Sequence, residues 1–293
     1  YLILLIFNSS FVFGQHGRET RLALLGQSVI EYDPRDYYEN PLLEISNILS
    51  DCDVVFTNLE VAINNPNSPC DSARTDMFFH GAESNVLDFL KSIHVNLLSL
   101  SNNHSWDYSL CGINSTLDET NKKGFVRAGS GINLNMASAP AIIEKNGVKF
   151  ALISMASIGR KESAATDTGA GINYVDINNL HDQQRIQTSI LAARHQADIV
   201  ITYQHYQNGG TLEEQEIWAR KLIDWGADLY VSHGSPSISG IEKYNGKYCF
   251  YNLGNFIFQS HTPIGHYDQE PWKGIMAILN IHEKKISGVD LYT

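Results

Sequence analysis

Short apolar runs recur along this sequence, and one after another they end on a polar cluster. Residues 21–25 stop at Gly26-Gln27, 54–57 at Asn58-Leu59-Glu60, and 95–100 at Ser101-Asn102-Asn103-His104. Residues 199–203 stop at Gln204-His205, and 229–231 at Ser232-His233-Gly234. Runs of this length bounded by polar residues or glycine read as buried strands. Between them, apolar residues at helical spacing predict helices over 42–49, 84–93, 112–123, 178–196 and 213–225. Asn40 stands as the cap of the first with Pro41 at its first position, Ser84 caps the second, and Gly124 and Gly226 close two others. Alternation of strand and helix pairs strands mainly in parallel. Asn146-Gly147 and Asn245-Gly246 each lie between two apolar runs and predict tight hairpins, which add antiparallel strands at the edges. Residues 275–282 and 286–292 read as the last strands. In such sheets ligands bind beyond the carboxyl ends of the strands, where the polar clusters fall.

A chain of 293 residues has ample length for a buried core, and 43% hydrophobic against 18% charged residues excludes disorder, collagen and coiled coil. No repeat or linker divides it, so residues 20–293 are expected to form a single domain. Asp and Glu number 32 against 21 Lys and Arg, a net charge of -11 with no basic stripe, which argues against nucleic acid as a partner. The same surplus repels an anionic polymer unless a metal or a local basic site intervenes. Residues 1–14 are apolar and then small, which reads as the remnant of a secretory signal peptide and predicts export, to the periplasm, the cell surface or the medium. A buried first strand is the alternative. The four cysteines show no C-x-x-C spacing; Cys70 and Cys111 can pair in an exported protein, while Cys52 and Cys249 read as small hydrophobes.

Glu60, Asn103, His205 and His233, with His104 beside Asn103, close separate strands. A carboxylate, an amide oxygen and imidazoles suit manganese, iron or zinc. A divalent metal polarises a phosphoryl or acyl oxygen and lowers the pKa of bound water. The competing reading for each histidine is a hydrogen-bonded structural residue at a strand end. His80, His261 and His266 lie in loops without a motif and read as surface residues. Trp218 and Trp225 read as core, and Tyr206 as a pocket wall or as packing.

Four segments resemble the capsule-synthesis protein CapA family (the poly-γ-glutamate capsule domain), a branch of the calcineurin-like metallophosphoesterases. They are residues 53–60, ending in Asn58-Leu59-Glu60; 98–108, with Asn102-Asn103-His104-Ser105-Trp106-Asp107-Tyr108; 226–234, ending in Ser232-His233-Gly234; and 251–258, with Leu253-Gly254-Asn255-Phe256. Their order agrees with that family over residues 22–258. The resemblance implies a four-layer α/β-β/α sandwich of the metallophosphoesterase type, with mixed sheets and its site at the strand ends. It implies Glu60, Asn103, His205 and His233 as metal ligands and His104 as the acid that protonates a leaving group. Asp107 would orient His104, or else cap the helix after Tyr108. Asn58, Asn102 and Asn255 would support the site from behind, Asn255 alternatively satisfying only loop backbone.

Two departures bear on the metal count. The family opens with Gly-Asp, where this chain has Gly26-Gln27, and the last histidine of its G-H-x-P-H turn falls on Pro236. Gln offers a neutral oxygen and Pro no ligand atom, so one ion rather than two is expected. Some relatives carry Gly-Gln followed by Asp-x-Arg, as in Asp33-Pro34-Arg35; there Gln27, Asp33 and Arg35 would serve substrate, the alternative being a turn held by a weak ion pair. Three functional readings follow. The first is an exported metal-dependent hydrolase of capsule or poly-γ-glutamate synthesis or processing, cutting a phosphoester or a γ-glutamyl amide in an anionic polymer or small molecule. The second is a non-catalytic component of surface-polymer machinery, in peripheral contact with the membrane. The third is a metal-free binder of an anionic ligand.

Overall fold

Alternation along the central strands sorts the apolar side chains into three separate layers, as expected when successive residues point to opposite faces of a sheet. The computed structural model describes residues 19–40, 42–159, 161–206, 211–261 and 273–293. Leu22 and Leu24, with Val54 and Phe56, face Leu152, Ile201, Tyr203, Val231 and Phe250 of a second sheet. Their neighbours Ala23, Leu25 and Val55 turn the other way, onto Leu49, Leu87, Leu90 and Ile113 of the helices Leu43–Leu49, Asn85–Ser92 and Ser109–Lys122. On the far side of the second sheet Ile153, Val200 and Tyr230 meet Ile186, Ile190, Trp218 and Leu222 of the helices Leu180–Arg194 and Leu212–Asp224. Helix, sheet, sheet and helix thus make the four-layer sandwich expected.

The first sheet runs Lys285–Tyr292, Met276–His282, Thr20–Ile30, Val54–Leu59, Leu97–Ser99, Val126–Ala128, with Asn255–Gln259 also pairing parallel to the end of Thr20–Ile30. The second runs Ile241–Tyr244, Lys247–Phe250, Leu229–His233, Ile199–His205, Val148–Ala156, Ala141–Lys145. Central pairs are parallel; antiparallel pairs close both edges of the second sheet and one edge of the first, whose other edge strand Val126–Ala128 pairs parallel, so both sheets are mixed. Both Asn-Gly hairpins form where expected, with positive φ at Asn146 and Gly147 and at Asn245 and Gly246.

Gly26 is required by close approach: a Cβ there would lie 2.5 Å from the Gly254 carbonyl oxygen and 2.7 Å from the Phe256 nitrogen. Gly254 supplies the bend that makes this approach, at φ +73°. Together they bring Asn255 into register with Gln27 at the sheet edge.

Some local expectations fail. Asn40 does not cap the first helix; Leu42, itself at φ 59°, occupies that position without a side-chain hydrogen bond. Ser84 stands at its N-cap but makes no capping hydrogen bond. Asp107 does not cap the helix Ser109–Lys122, whose cap is Tyr108. The strand pairs Ala62–Asn64 with Gly81–Glu83 and Ser130–Gly131 with Gly171–Ile172 are too short to show periodicity. The expected signal-peptide remnant at residues 1–14, Pro41 and His266 lie outside the described residues. Among the described residues no helix is long and apolar enough to cross a membrane.

Cys70 and Cys111 form a disulfide, tying the loop before Gly81–Glu83 to the helix Ser109–Lys122, while Cys52 and Cys249 are buried free thiols. Reduction should cost about 2–4 kcal/mol of stability through the loop-closure entropy it releases, read from the urea midpoint with and without reductant; an unchanged midpoint would contradict this. Phe56→Ala, at the centre of the inter-sheet layer, should cost about 3–5 kcal/mol in the same assay.

Candidate active site

The carboxyl ends of strands from both sheets open into one cavity of about 300 Å³, whose lining includes Gln27, Glu60, Asn103, His104 and Pro236. Parallel pairing puts His205 and His233 in register on adjacent strands, so their side chains leave the sheet on the same face. Glu60 follows Val54–Leu59, and its nitrogen is held by the Ser28 carbonyl. Asn103 follows Leu97–Ser99 in a turn fastened by Asn102: the Asn102 amide nitrogen donates to Asn58 Oδ1 at 3.1 Å and to the Leu59 carbonyl at 2.7 Å, and its oxygen accepts from the His104 nitrogen at 3.0 Å. Asn58 in turn donates to Glu60 Oε2 at 3.4 Å. Asn58 and Asn102 therefore set the positions of Glu60, Asn103 and His104 from behind.

Three of the four expected ligands meet at one atom. His205 Nε2 lies 2.6 Å from Asn103 Oδ1 and 3.6 Å from Glu60 Oε1. His233 stands beside His205 fully buried, with both ring nitrogens lacking a hydrogen-bond partner among the described residues. Burial pushes its pKa down to about 3, and the nearby Leu25 backbone opposes this shift without reaching hydrogen-bond geometry. Burial, with His233 and His104 nearby, holds His205 well below the usual imidazole range. Burial and the Asp107 charge push the Glu60 carboxyl up to about 8 against the hydrogen bond from Asn58. Among the described residues no three His, Cys, Asp or Glu side chains are grouped so as to hold a metal ion by themselves; the amide of Asn103 is part of the set. Imidazoles held neutral by burial, those of His233 without partners among the described residues, together with an amide oxygen and a buried carboxyl group fit a borderline divalent cation, which would satisfy His233 and favour ionised Glu60.

Beside this set, His104 Nδ1 is 2.9 Å from Asp107 Oδ2. An ionised carboxylate only accepts, so Nδ1 carries the hydrogen and Nε2 is left for the cavity. Of the two roles expected for Asp107, orienting His104 is the one observed. Burial lowers the His104 pKa, and the Asp107 hydrogen bond resists the shift.

The surface role expected for His80 is wrong. Its ring is buried, lies 4.2 Å from the His104 ring between centroids, lines the same cavity, and is paired through Nδ1 with Glu31. The His80 nitrogen also donates to Asp107 Oδ2 at 2.8 Å. Arg74 lines the cavity too. Sequence reading missed all three because His80 and Arg74 sit in a loop and Glu31 lies past the apolar run; the only signal was that the first strand continues to Ile30. His261 is exposed as expected. Trp218 is core, whereas Trp225 is partly buried and packs edge-on against it. Tyr206 is half-buried and is not among the cavity lining.

Gln27 Nε2 donates to Asn255 Oδ1 at 2.8 Å, and its Oε1 is buried without a partner. Asn255 thus holds the Gln27 amide. Asp33 accepts from the Arg35 nitrogen at 2.9 Å and pairs with its guanidinium, closing a short 3-10 turn. Neither lines the cavity, so the ion-paired turn is the arrangement seen, although Asp33 itself is buried.

A solved structure of a hypothetical protein from Thermus thermophilus shares this fold at a TM-score of 0.57 and 15% identity, over 93% of this chain and 98% of that one. The PGA biosynthesis protein CapA of Bacillus subtilis is 32% identical over 174 residues, 58% of this chain and 44% of that protein. The capsule biosynthesis protein CapA of Bacillus anthracis is 26% identical over 181 residues, 60% of this chain and 43% of that protein. The chain therefore spans less than half the length of these two relatives. The model of the bacterial capsule synthesis protein PGA_cap family matches residues 23–260, and with that extent of agreement the chain belongs to the PGA_cap family.

Proposed function

We propose that this chain serves the synthesis or processing of a poly-γ-glutamate or capsule polymer as an exported hydrolase dependent on one divalent cation (manganese, iron or zinc). The observation that carries the reading is the convergence of Asn103 and Glu60 on His205 Nε2, beside a His233 whose nitrogens are buried and unpartnered. The two Bacillus relatives bear names of PGA and capsule biosynthesis, which supports the substrate class. The bond cut is a phosphoester or a γ-glutamyl amide in an anionic polymer or small molecule. Nucleic acid is not the partner in this reading, which places the chain in contact with the membrane periphery or with surface-polymer machinery.

Held by Glu60, Asn103, His205 and His233, a cation would polarise the oxygen of the bond to be broken. His104 moves the proton at Nε2, and its burial-lowered pKa makes the protonated ring a ready donor to a leaving group. Asp107 keeps that ring in one tautomer and one orientation. Gln27, tied to Asn255, and Pro236 both line the cavity, and neither offers the carboxylate or imidazole that a second ion would need. That observation also favours a second reading, a PGA_cap fold that binds polymer without cutting it.

The purified chain should take up about one divalent ion, and His233→Ala should abolish uptake; no bound metal after supplementation with manganese, zinc or iron would remove the hydrolase reading. Because the ion displaces the Glu60 proton, affinity should rise with pH until about 8 and then level off. Calorimetry across that range checks this, and a flat profile would contradict it. His104→Gln should lower kcat about 10²–10⁴-fold with metal content unchanged; loss of metal in this variant would contradict the role assigned.

A further inference from the structure

Arg74 is a cation placed on the wall of the cavity, and the candidate chemistry described above does not use it. The cavity's described lining contains Glu60, and the carboxylates of Asp107 and Glu31 hold the two histidines on that wall. Among the described lining residues Arg74 is the one Lys or Arg. An oxyanion entering here finds neutral polar and apolar groups on most sides, and the Arg74 guanidinium is the described lining group that carries the opposite charge.

The guanidinium is held ready. Arg74 Nε donates to Asp76 Oδ2 at 3.1 Å and Nη2 lies 2.7 Å from Asp76 Oδ1, so one edge of the fork is engaged. Nη1 is 3.7 Å from Asp107 Oδ1, near the His104 support but beyond hydrogen-bond distance. With five N–H donors in a rigid fork, the group retains donors for an oxyanion.

The loop that carries Arg74 is docked onto the His104–Asp107 turn from several directions. Just before Arg74, the Ala73 nitrogen donates to the Asp107 carbonyl at 2.7 Å; further on, the His80 nitrogen donates to the Asp107 carboxylate at 2.8 Å. The disulfide Cys70–Cys111 ties the same loop to the following helix, and the Cys70 nitrogen donates to Asn64 Oδ1 at 2.8 Å. A loop that only had to cover the surface would need none of this convergence on the turn that bears His104.

We propose that Arg74 is the specificity residue of this cavity: it binds the carboxylate or phosphate group of the substrate and sets it beside His104 and His80. The proposal rests on the hydrolase reading only in taking this cavity as the substrate site; it requires no bound metal and no turnover.

The test is therefore binding to metal-free full-length chain, prepared by chelation and then dialysis, with calorimetry as the readout. The probes are inorganic phosphate and γ-L-glutamyl-L-glutamate. Arg74→Gln should weaken the tighter probe at least tenfold. Arg74→Lys keeps the charge but loses the fork, and should fall between wild type and Arg74→Gln. Lys285→Gln, at an exposed residue of the edge strand Lys285–Tyr292, makes the same change in net charge and should leave binding within twofold. Tighter binding of the dipeptide assigns the group to a carboxylate substrate, and tighter binding of phosphate to a phosphoester; both support Arg74. Failure of wild type to bind either probe, or equal effects of the Arg74→Gln and Lys285→Gln substitutions, would overturn the proposal. Binding without turnover would instead count against the hydrolase reading alone.

Discussion

A buried carboxylate surrounded by buried neutral imidazoles, with no lysine or arginine paired to it among the described residues, organises this structure. Taking an ion out of water costs several kcal/mol unless something of opposite charge receives it. Among the described residues the Glu60 carboxyl has the weak hydrogen bond from Asn58 and the proximity of His205, and burial with the nearby Asp107 charge accordingly favours its protonated form. His233 adds a second cost, since both its nitrogens are cut off from water and partners. A divalent cation would offset both costs at once, which is the physical ground for proposing these residues as its site.

The sheets exist in a form that makes this convergence cheap to position. Parallel pairing aligns His205 with His233 without any adjustment of loops. Face-to-face stacking of the sheets brings the ends of Val54–Leu59 and Leu97–Ser99 opposite those strands, so Glu60 and Asn103 arrive from across the sandwich. Below the site Tyr203 is buried in the inter-sheet layer, with its hydroxyl 3.4 Å from His205 Nδ1, joining the apolar core to the polar floor. On the outer wall the carboxylates of Asp107 and Glu31 hold two imidazoles side by side.

Much of this was legible from residue order alone, for a physical reason. Strands buried on both faces must be apolar throughout, so the residues at which apolar character stops mark the carboxyl ends, and Gln27, Glu60, Asn103, His205 and His233 are found by that rule. Asn-Gly turns were equally readable because they demand left-handed backbone that few other pairs accept. Helix starts were less so: Asn40 has the chemistry of a cap, but the chain enters the helix through Leu42. The outer wall was illegible, since Arg74 and His80 lie in a loop whose path is set by a disulfide, by Asp107 and by two three-residue strands, none of which has a local signature. Asp33 and Arg35 were open to two readings, a substrate contact or an ion-paired turn, and the two side chains pair with each other within a turn.

The most direct test of the account is the X-ray absorption spectrum of the zinc- or manganese-loaded chain at its metal edge. Two imidazole ligands in a shell completed by oxygen donors are expected, with one imidazole contribution lost in His233→Ala. A shell of oxygen atoms alone, unchanged by that substitution, would mean that the cation sits elsewhere and that Glu60, Asn103, His205 and His233 do not form its site.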